Sequence, residues 1–462
     1  MAFSIEHISF NYKNAYYKFP QSLKTFIGTM YGNVPLSVRF GKAYSINKEL
    51  IEKFETGSRQ FQMDFIYNKT LETLIFAEEN IPYYQKLFQE HGISSKDYQT
   101  LGDLNNFPTV TKEIVKKNID DMHTNIIEKP VAYFTGGSLS TPTKFFLPQS
   151  SRSKERAYTN YILSQSGYKY RDKTLLLKGR EISIPEKDIY WEYEPVANYF
   201  LLSNNYMNSK KFPLMYEKAK SFKPKFIFGY PSAVLSFIVQ CKLYGYEKLK
   251  VKGIILSSET VYPDELKIIR DYFGVDVLTH YGHTERIVAA YQTNDRHYNF
   301  VNSYGVPRII DNEIVATTFD NFVMPFINYH TGDHVTGDIE FYPESDIATR
   351  VQNIEGRTQD FLVSKDKRLV SITTMCGGQY LPLETMNNIQ YLQDEEGKVT
   401  VLVEGKNIDP EKVRSGMCQL VRDGIDFDVK VVNNIEKSSR GKRIICKQSL
   451  DIEAIRNETS KN

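Results

Sequence analysis

Nowhere in these 462 residues is there an uninterrupted run of about 18 apolar side chains, so no membrane span is expected. The opening stretch, MAFSIEHISFNYKNAYYKF, has no long apolar run behind a basic start, and no signal peptide is read there. Cysteine is scarce, and Cys241, Cys376, Cys418 and Cys446 lie far apart with no CxxC or Cys/His spacing. That argues against a disulfide framework and against structural zinc, and it fits a reducing cytoplasm. Excess charge is lacking too. With 58 Lys and Arg against 56 Asp and Glu, the net charge is +2, and no global field draws the chain to nucleic acid or a membrane surface. Internal repeats and low-complexity tracts are absent.

What is present is ordinary for a soluble globular protein: 41% apolar and 25% charged residues in a chain long enough for two or three domains. Tyrosine stands out, with 32 residues. A ring with an apolar face and a polar tip suits pocket walls and interfaces, and a homodimer is an open option.

Apolar spacing predicts helix over about 47–90, through Phe54, Phe61, Phe65, Leu71, Leu74 and Ile75, broken at Asn80-Ile81-Pro82. From Val131 onward β-rich runs alternate with helices. Strands are expected at 174–178, 226–228, 253–256 and 275–280, and helices at 231–244 and 263–273. This alternation indicates an α/β domain with a substantial parallel sheet. Beyond Phe341 the pattern changes. Strands near 360–363, 400–404 and 428–432 flank a helix at about 410–423, as in a small α+β module. The reading is a large domain over 1–356, with a helical opening of about 110 residues, and a small one over 357–462.

Chemistry-bearing residues gather in short segments. Tyr133 to Lys144 (YFTGGSLSTPTK) pairs glycines with hydroxyls and a lysine, the makings of an anion cradle, though without Walker spacing. Lys223 to Ser232 (KPKFIFGYPS) ends a strand in Gly229-Tyr230-Pro231, at a sheet edge where α/β proteins bind ligands. Leu256 to Glu259 (LSSE) and Thr279 to Glu285 (THYGHTE) finish two further strands. Glu285 suits a hard cation such as Mg²⁺, and Tyr281 could stack on a base. His280 and His283 have no third ligand, so zinc is not read there. Met324 to Asp333 (MPFINYHTGD) offers a carboxylate that can accept two hydroxyls of a diol at once. Glu355 to Asp360 (EGRTQD) and Lys437 to Lys442 (KSSRGK) complete the set. Each segment alone reads equally as a polar surface turn.

In order and spacing these segments resemble the adenylate-forming superfamily, nearest its phenylacetate–CoA ligase-like and CapK-type branch. The likeness extends to the early NIPYY (80–84) and FPTVTK (107–112), and to the run EIVATTFDNFVMPFINYHTGD (313–333). It implies ATP-dependent activation of a carboxylic acid as an acyl-AMP, with transfer to coenzyme A as the default acceptor. An amine or hydroxyl of a sugar in surface-polysaccharide synthesis is the alternative, and a non-catalytic binder that kept the fold is a further one. By this resemblance Thr135, Gly136, Gly137, Ser138, Ser140, Thr141 and Lys144 hold phosphates. Ser258, Glu259, Tyr281 and Gly282 border adenine, and Asp333 takes the ribose hydroxyls. Thr284 and Glu285 position Mg²⁺. Arg357 opens the hinge, and Lys442 is the catalytic lysine of a mobile C-terminal domain. Tyr133, Phe134, Gly229, Tyr230, Pro231 and His283 are candidate walls of the acyl pocket. The chain departs from the family pattern at Leu139 and Ser140 in the phosphate loop, at Gln359, and at Asn328 and His330, where arginines are common. Glu285, Asp333, Arg357 and Lys442 together speak for a working enzyme.

Overall fold

The computed structural model describes residues 19–134, 143–178, 182, 184, 187–207, 210–295, 297–357, 361–375, 381, 386–421, 424–437, 442–452 and 455. The chain divides into two compact units, Met1–Lys169 with His280–Ile354, and Tyr170–Thr279 with Glu355–Asn462. The fold class is mixed α/β, with sheets packed by helices.

The first unit opens with helices. The helix expected over 47–90 resolves into Leu36–Glu55, Arg59–Asn80 and Pro82–His91. The first break was not legible in apolar spacing. There Ser58 caps the new helix, its Oγ accepting the Phe61 amide at 3.2 Å. The second break stands where proline put it, with Pro82 in the first helical turn, where no amide is needed. Buried Leu74, Ala77, Tyr84 and Phe88 from these helices share one core with Ile314, Ala316, Phe326 and Val335. Ile314, Ala316 and Val335 lie on the antiparallel ladder Gly305–Ile310, Glu313–Thr318 and Tyr329–Phe341, and Phe326 in the connection before its last strand. Its first hairpin closes through Asp311 and Asn312, both at positive φ (50° and 61°), the conformation a two-residue hairpin turn demands.

Two polar clusters tie this unit together. Asp320 accepts from Lys69 Nζ at 2.8 Å and Lys154 Nζ at 3.2 Å. Fully buried Asn328 donates through Nδ2 to the Leu104 and Phe107 carbonyls, both at 2.9 Å, and its Oδ1 accepts from Arg308 Nη1 at 2.8 Å. Its φ of 47° suits asparagine better than most residues. The departure from arginine at 328 is thus built into the core of the unit.

In the second unit the parallel strands appear where alternation predicted them, at Thr174–Leu177, Phe226–Gly229 and Gly253–Ser257, with Tyr199–Leu202 beside the first. The helices Pro231–Leu243 and Pro263–Phe273 begin with proline at the first turn. Gly229 is required by close packing, since a Cβ there would stand 2.9 Å from Leu177 Cβ and 3.0 Å from Val234 Cγ2. A separate sheet runs Asp426–Val432, Lys398–Gly405, Met386–Glu395, Cys446–Gln448, with the helix Pro410–Val421 against it. Val399, Val401 and Val403 alternate into its core, as a strand period of two dictates. Met386–Glu395 was not anticipated, because its buried positions include amides. Gln390 and Gln393 pass for surface residues, yet each donates to a buried carbonyl, Ile444 O and Val363 O, at 2.8 Å. Among the described residues no helix is long and apolar enough to cross a membrane.

Two stability predictions follow from the first unit. Burial works against the Asp320 carboxylate, but Lys154 and Lys69 outweigh it and hold the pKa at about 2. The unfolded value is near 4, so this contribution is full above about pH 4 and is lost as the pH falls through about 2. Asp320→Asn should therefore cost on the order of 1–2 kcal/mol in urea unfolding at pH 7, and the gap from the parent should close toward pH 2. Asn328→Ala strands the Phe107 carbonyl, removes one donor to Leu104 and one acceptor of Arg308, and should cost on the order of 3 kcal/mol by the same measurement.

Candidate functional site

Tyr281 stands near the end of the strand Asp276–Gly282, in the part that belongs to the first unit, and the turn after it delivers His283. Asp333 stands near the start of Tyr329–Phe341. These three side chains meet at one atom. Tyr281 Oη donates to Asp333 Oδ2 at 2.8 Å, and His283 Nε2 lies 2.8 Å from the same oxygen and 2.7 Å from Tyr281 Oη. An ionised carboxylate only accepts, so the tautomer that donates to it carries its proton on Nε2. That leaves His283 Nδ1 as a buried acceptor with no hydrogen-bond partner among the described residues. The turn before Asp333 is held by Glu313, whose Oε1 accepts the Gly332 amide at 2.8 Å while His330 Nδ1 stands 3.0 Å from Oε2. Burial opposes the Glu313 charge, but the His330 contact outweighs it and lowers the pKa. His330 thus has a positioning contact of its own.

Glu285 is buried, with the Tyr329 hydroxyl 3.5 Å from Oε1, while Thr284 is exposed. Arg286, next along, is anchored away from both: Nη1 donates to Ser151 Oγ at 2.7 Å, and its guanidinium lies 5.5 Å from the Tyr133 ring. Tyr133 and Phe134 lie on Pro130–Phe134, which pairs antiparallel with Lys144–Pro148, so Phe134 faces Lys144 across the ladder. The phosphate-loop residues Thr135, Gly136, Gly137, Ser138, Ser140 and Thr141 lie outside the described residues, as do Leu139, Gln359 and Asp360. Lys144 is exposed, its ammonium 4.9 Å from the Phe146 ring.

In the second unit, Lys437 and Arg443 form an antiparallel bridge, which draws the two ends of the KSSRGK segment together. Lys442, half-buried, sits with Nζ 5.8 Å from the Tyr230 ring centroid. Its neighbour Arg443 is clamped twice. The backbone amide donates to Glu259 Oε1 at 2.7 Å, and the guanidinium donates in bidentate fashion to Glu265 at 2.6 and 3.1 Å. Both partners of the ion pair are buried, with side-chain exposures of 6% and 2%. Burial disfavours the Arg443 charge, and Glu265 and Glu259 more than restore it. Glu265 is supplied by the first turn of Pro263–Phe273, where the helix dipole favours an acid. Glu259 Oε2 accepts the Ser232 amide at 3.3 Å, so the same carboxylate also caps the helix that starts at Pro231.

Sequence reasoning named Lys442 and Glu259 but not the Arg443–Glu265 pair that locates them. An arginine directly after KSSRGK was a visible signal, whereas its partner lies far away in the chain. Lys178, the first residue after the strand Thr174–Leu177, was not singled out either. Ser258 is exposed, at φ 71°, beside buried Ser257. Gly356 and Arg357 end the strand Ala348–Arg357.

No family model matches the chain. In sequence it is similar to Protein CapK of Staphylococcus aureus, 23% identical over 434 residues, which span 89% of this chain and 94% of that protein. Among solved structures, 2-hydroxyisobutyryl-CoA ligase in its postadenylation state with R3-HIB-AMP superposes with a TM-score of 0.66 at 13% identity, over 89% of this chain and 94% of that one. The same ligase with 2-HIB-AMP and CoA in the thioesterification state gives 0.56 at 14% identity over the same shares, 89% and 94%. The chain has the fold of the adenylate-forming acyl-CoA ligases and is a sequence relative of Protein CapK over most of its length.

Proposed function

We propose that the protein joins a carboxylic acid to AMP at the expense of ATP and then transfers the acyl group to an acceptor. The observation that carries this reading is the fixed position of Lys442, set by the double clamp on Arg443. A lysine on an exposed basic turn has no reason to be anchored through a buried ion pair next door. One that must meet developing phosphate charge does.

In the reaction, a carboxylate oxygen of the acid attacks the α-phosphorus of ATP and pyrophosphate leaves, giving the mixed anhydride. Acid and triphosphate repel each other, so charge must be neutralised before they meet. Lys442 is assigned the charge developing on the α-phosphate, and the loop 135–144 the departing pyrophosphate. Asp333 takes the ribose hydroxyls. Tyr281 and His283 fix its Oδ2, and the unpaired His283 Nδ1 is a ready acceptor for a hydroxyl proton. Ser258 and Gly282 border the adenine. Glu259 acts as a positioning residue through its bond to the Arg443 amide. Tyr133, Phe134, Gly229, Tyr230 and Pro231 are assigned to the acyl group.

Glu285 fits Mg²⁺, with Thr284 beside it, because this ion takes one or two carboxylates and completes its shell with substrate phosphates and water. Among the described residues no cluster of three His, Cys, Asp or Glu could hold a metal alone. Bound there, Mg²⁺ would offset phosphate charge. Residues 357–462 are read as the mobile C-terminal domain with Arg357 at its hinge. The acceptor is coenzyme A by default, since the structural neighbour is a CoA ligase. The likeness to Protein CapK favours an amine or hydroxyl of a sugar as the second reading. The cytoplasm is the expected compartment.

Pyrophosphate release from ATP across a panel of acids tests the reading. At least one acid should support release, and Lys442→Ala should reduce kcat by about 100-fold or more while leaving thermal unfolding unchanged. If no acid supports release and Lys442→Ala changes nothing, the ligase assignment falls. Arg443→Met should lower kcat by roughly 10-fold and, by leaving Glu265 buried and unpaired, destabilise the fold by about 3–5 kcal/mol in urea unfolding.

A further inference from the structure

Lys178 has no role in the chemistry above. It is the first residue after the strand Thr174–Leu177, whose last residue pairs with Gly229 and whose Leu177 carbonyl accepts the Tyr230 amide at 3.2 Å. Lys178 therefore lies alongside Tyr230 at the carboxyl ends of parallel strands, the edge where α/β sheets bind ligands. Its Nζ stands 3.6 Å from the Phe228 ring centroid and donates to Ser257 Oγ at 2.9 Å. Phe228 and Tyr230 are two residues apart in extended backbone and so share a side. Two ammonium groups, Lys178 over Phe228 and Lys442 over Tyr230, thus stand on one aromatic patch.

Within this pair it is Lys178 that is electrostatically incomplete. Among the described residues no carboxylate forms a salt bridge with Lys178, and its one strong charge neighbour is Lys442, of the same sign. Burial first, and then Lys442, pull its pKa down to about 7. An ammonium has three donors, and Ser257 takes one of them. Keeping an unpaired cation against a ring and a serine costs stability, whereas an isosteric apolar side chain would not. The missing element is an anion.

We infer that Lys178 is a specificity-determining residue that binds a second anionic group on the acid, so that the preferred substrate carries two negative charges rather than one. This rests on the adenylation reading, which assigns Gly229 and Tyr230 to the acyl group and Lys442 to the α-phosphate that the reacting carboxylate attacks. A distal carboxylate or phosphate on the acid supplies the same chemistry to Lys178.

Succinate and butyrate have the same chain length and differ in the distal carboxylate, and 3-phosphoglycerate supplies a distal phosphate. Calorimetric titration without ATP should give the parent protein at least about tenfold tighter binding of succinate, 3-phosphoglycerate or both than of butyrate. Lys178→Met should abolish that preference, and Lys178→Arg should retain most of it, with circular dichroism unchanged in both. In pyrophosphate release the loss in Lys178→Met should fall on KM for the acid rather than on kcat. A preference that survives in Lys178→Met, or no preference in the parent, overturns the inference. So does a variant that weakens ATP binding instead. Preference without pyrophosphate release would sink the adenylation reading and leave the anion site standing. Release supported equally by butyrate in parent and variant would do the reverse.

Discussion

The bidentate ion pair between Arg443 and Glu265 is the constraint on which the second unit's chemistry depends. Two charges with side-chain exposures of only 6% and 2% are a poor source of net stability, since desolvation consumes most of the attraction. What such a pair gives is register. A planar guanidinium matched to a carboxylate in two parallel bonds admits one geometry, and the adjoining amide is fixed by Glu259 at the same time. Lys442, one residue back, inherits that position. Glu259 also accepts the amide of Ser232, so the Lys442 segment and the helix that begins at Pro231 share an anchor.

The first unit solves a similar problem with neutral groups. Asp333 is fixed through Oδ2 by a phenol and an imidazole, and its approach is fixed by Glu313 on the preceding turn. The ordering rests on hydrogen bonds to a charged acceptor, which are stronger than neutral ones. The residues that depart from the resembling family, Asn328 and His330, are part of this ordering. Asn328 fills its bonds with two backbone carbonyls and Arg308, and His330 stands on Glu313. Their substitution for arginine therefore changes how the strand before Asp333 is braced.

Much of the architecture was legible in the sequence because it follows periodicity and proline. The helix Pro263–Phe273 was read residue for residue, and the parallel strands at Thr174–Leu177, Phe226–Gly229 and Gly253–Ser257 were read to within a residue. What failed to show was whatever depends on a distant partner. The strand Met386–Glu395 hides its burial behind Asn and Gln, whose partners lie on other segments. Glu265 looked like an ordinary acid in a first helical turn, and Lys178 like a strand end. The segments bearing Asp333 and Lys442 stand out in the sequence because short-range spacing marks them. The groups that hold those side chains in place do not, because a hydrogen-bond partner leaves no local trace.

Lys442 also bears on how a two-step reaction is ordered. On the proposed reading, a lysine suited to phosphate charge in the first step stands where an acceptor nucleophile must approach in the second, so a moving C-terminal domain would have to withdraw it. Withdrawal would mean parting Arg443 from Glu265 and Glu259, and because water then reaches the separated charges the cost stays below the about 3–5 kcal/mol of leaving one of them buried and unpaired. That cost is met only if something in the first state is lost as the step completes. On the proposed reading, forming the anhydride consumes the charge of the reacting carboxylate, so the repulsion between Lys178 and Lys442 then acts with less negative charge to offset it. On this account the like-charged pair is not a flaw that the fold tolerates. It biases the clamp toward release once the anion is gone, and the ion pair at Arg443 sets how large that bias must be.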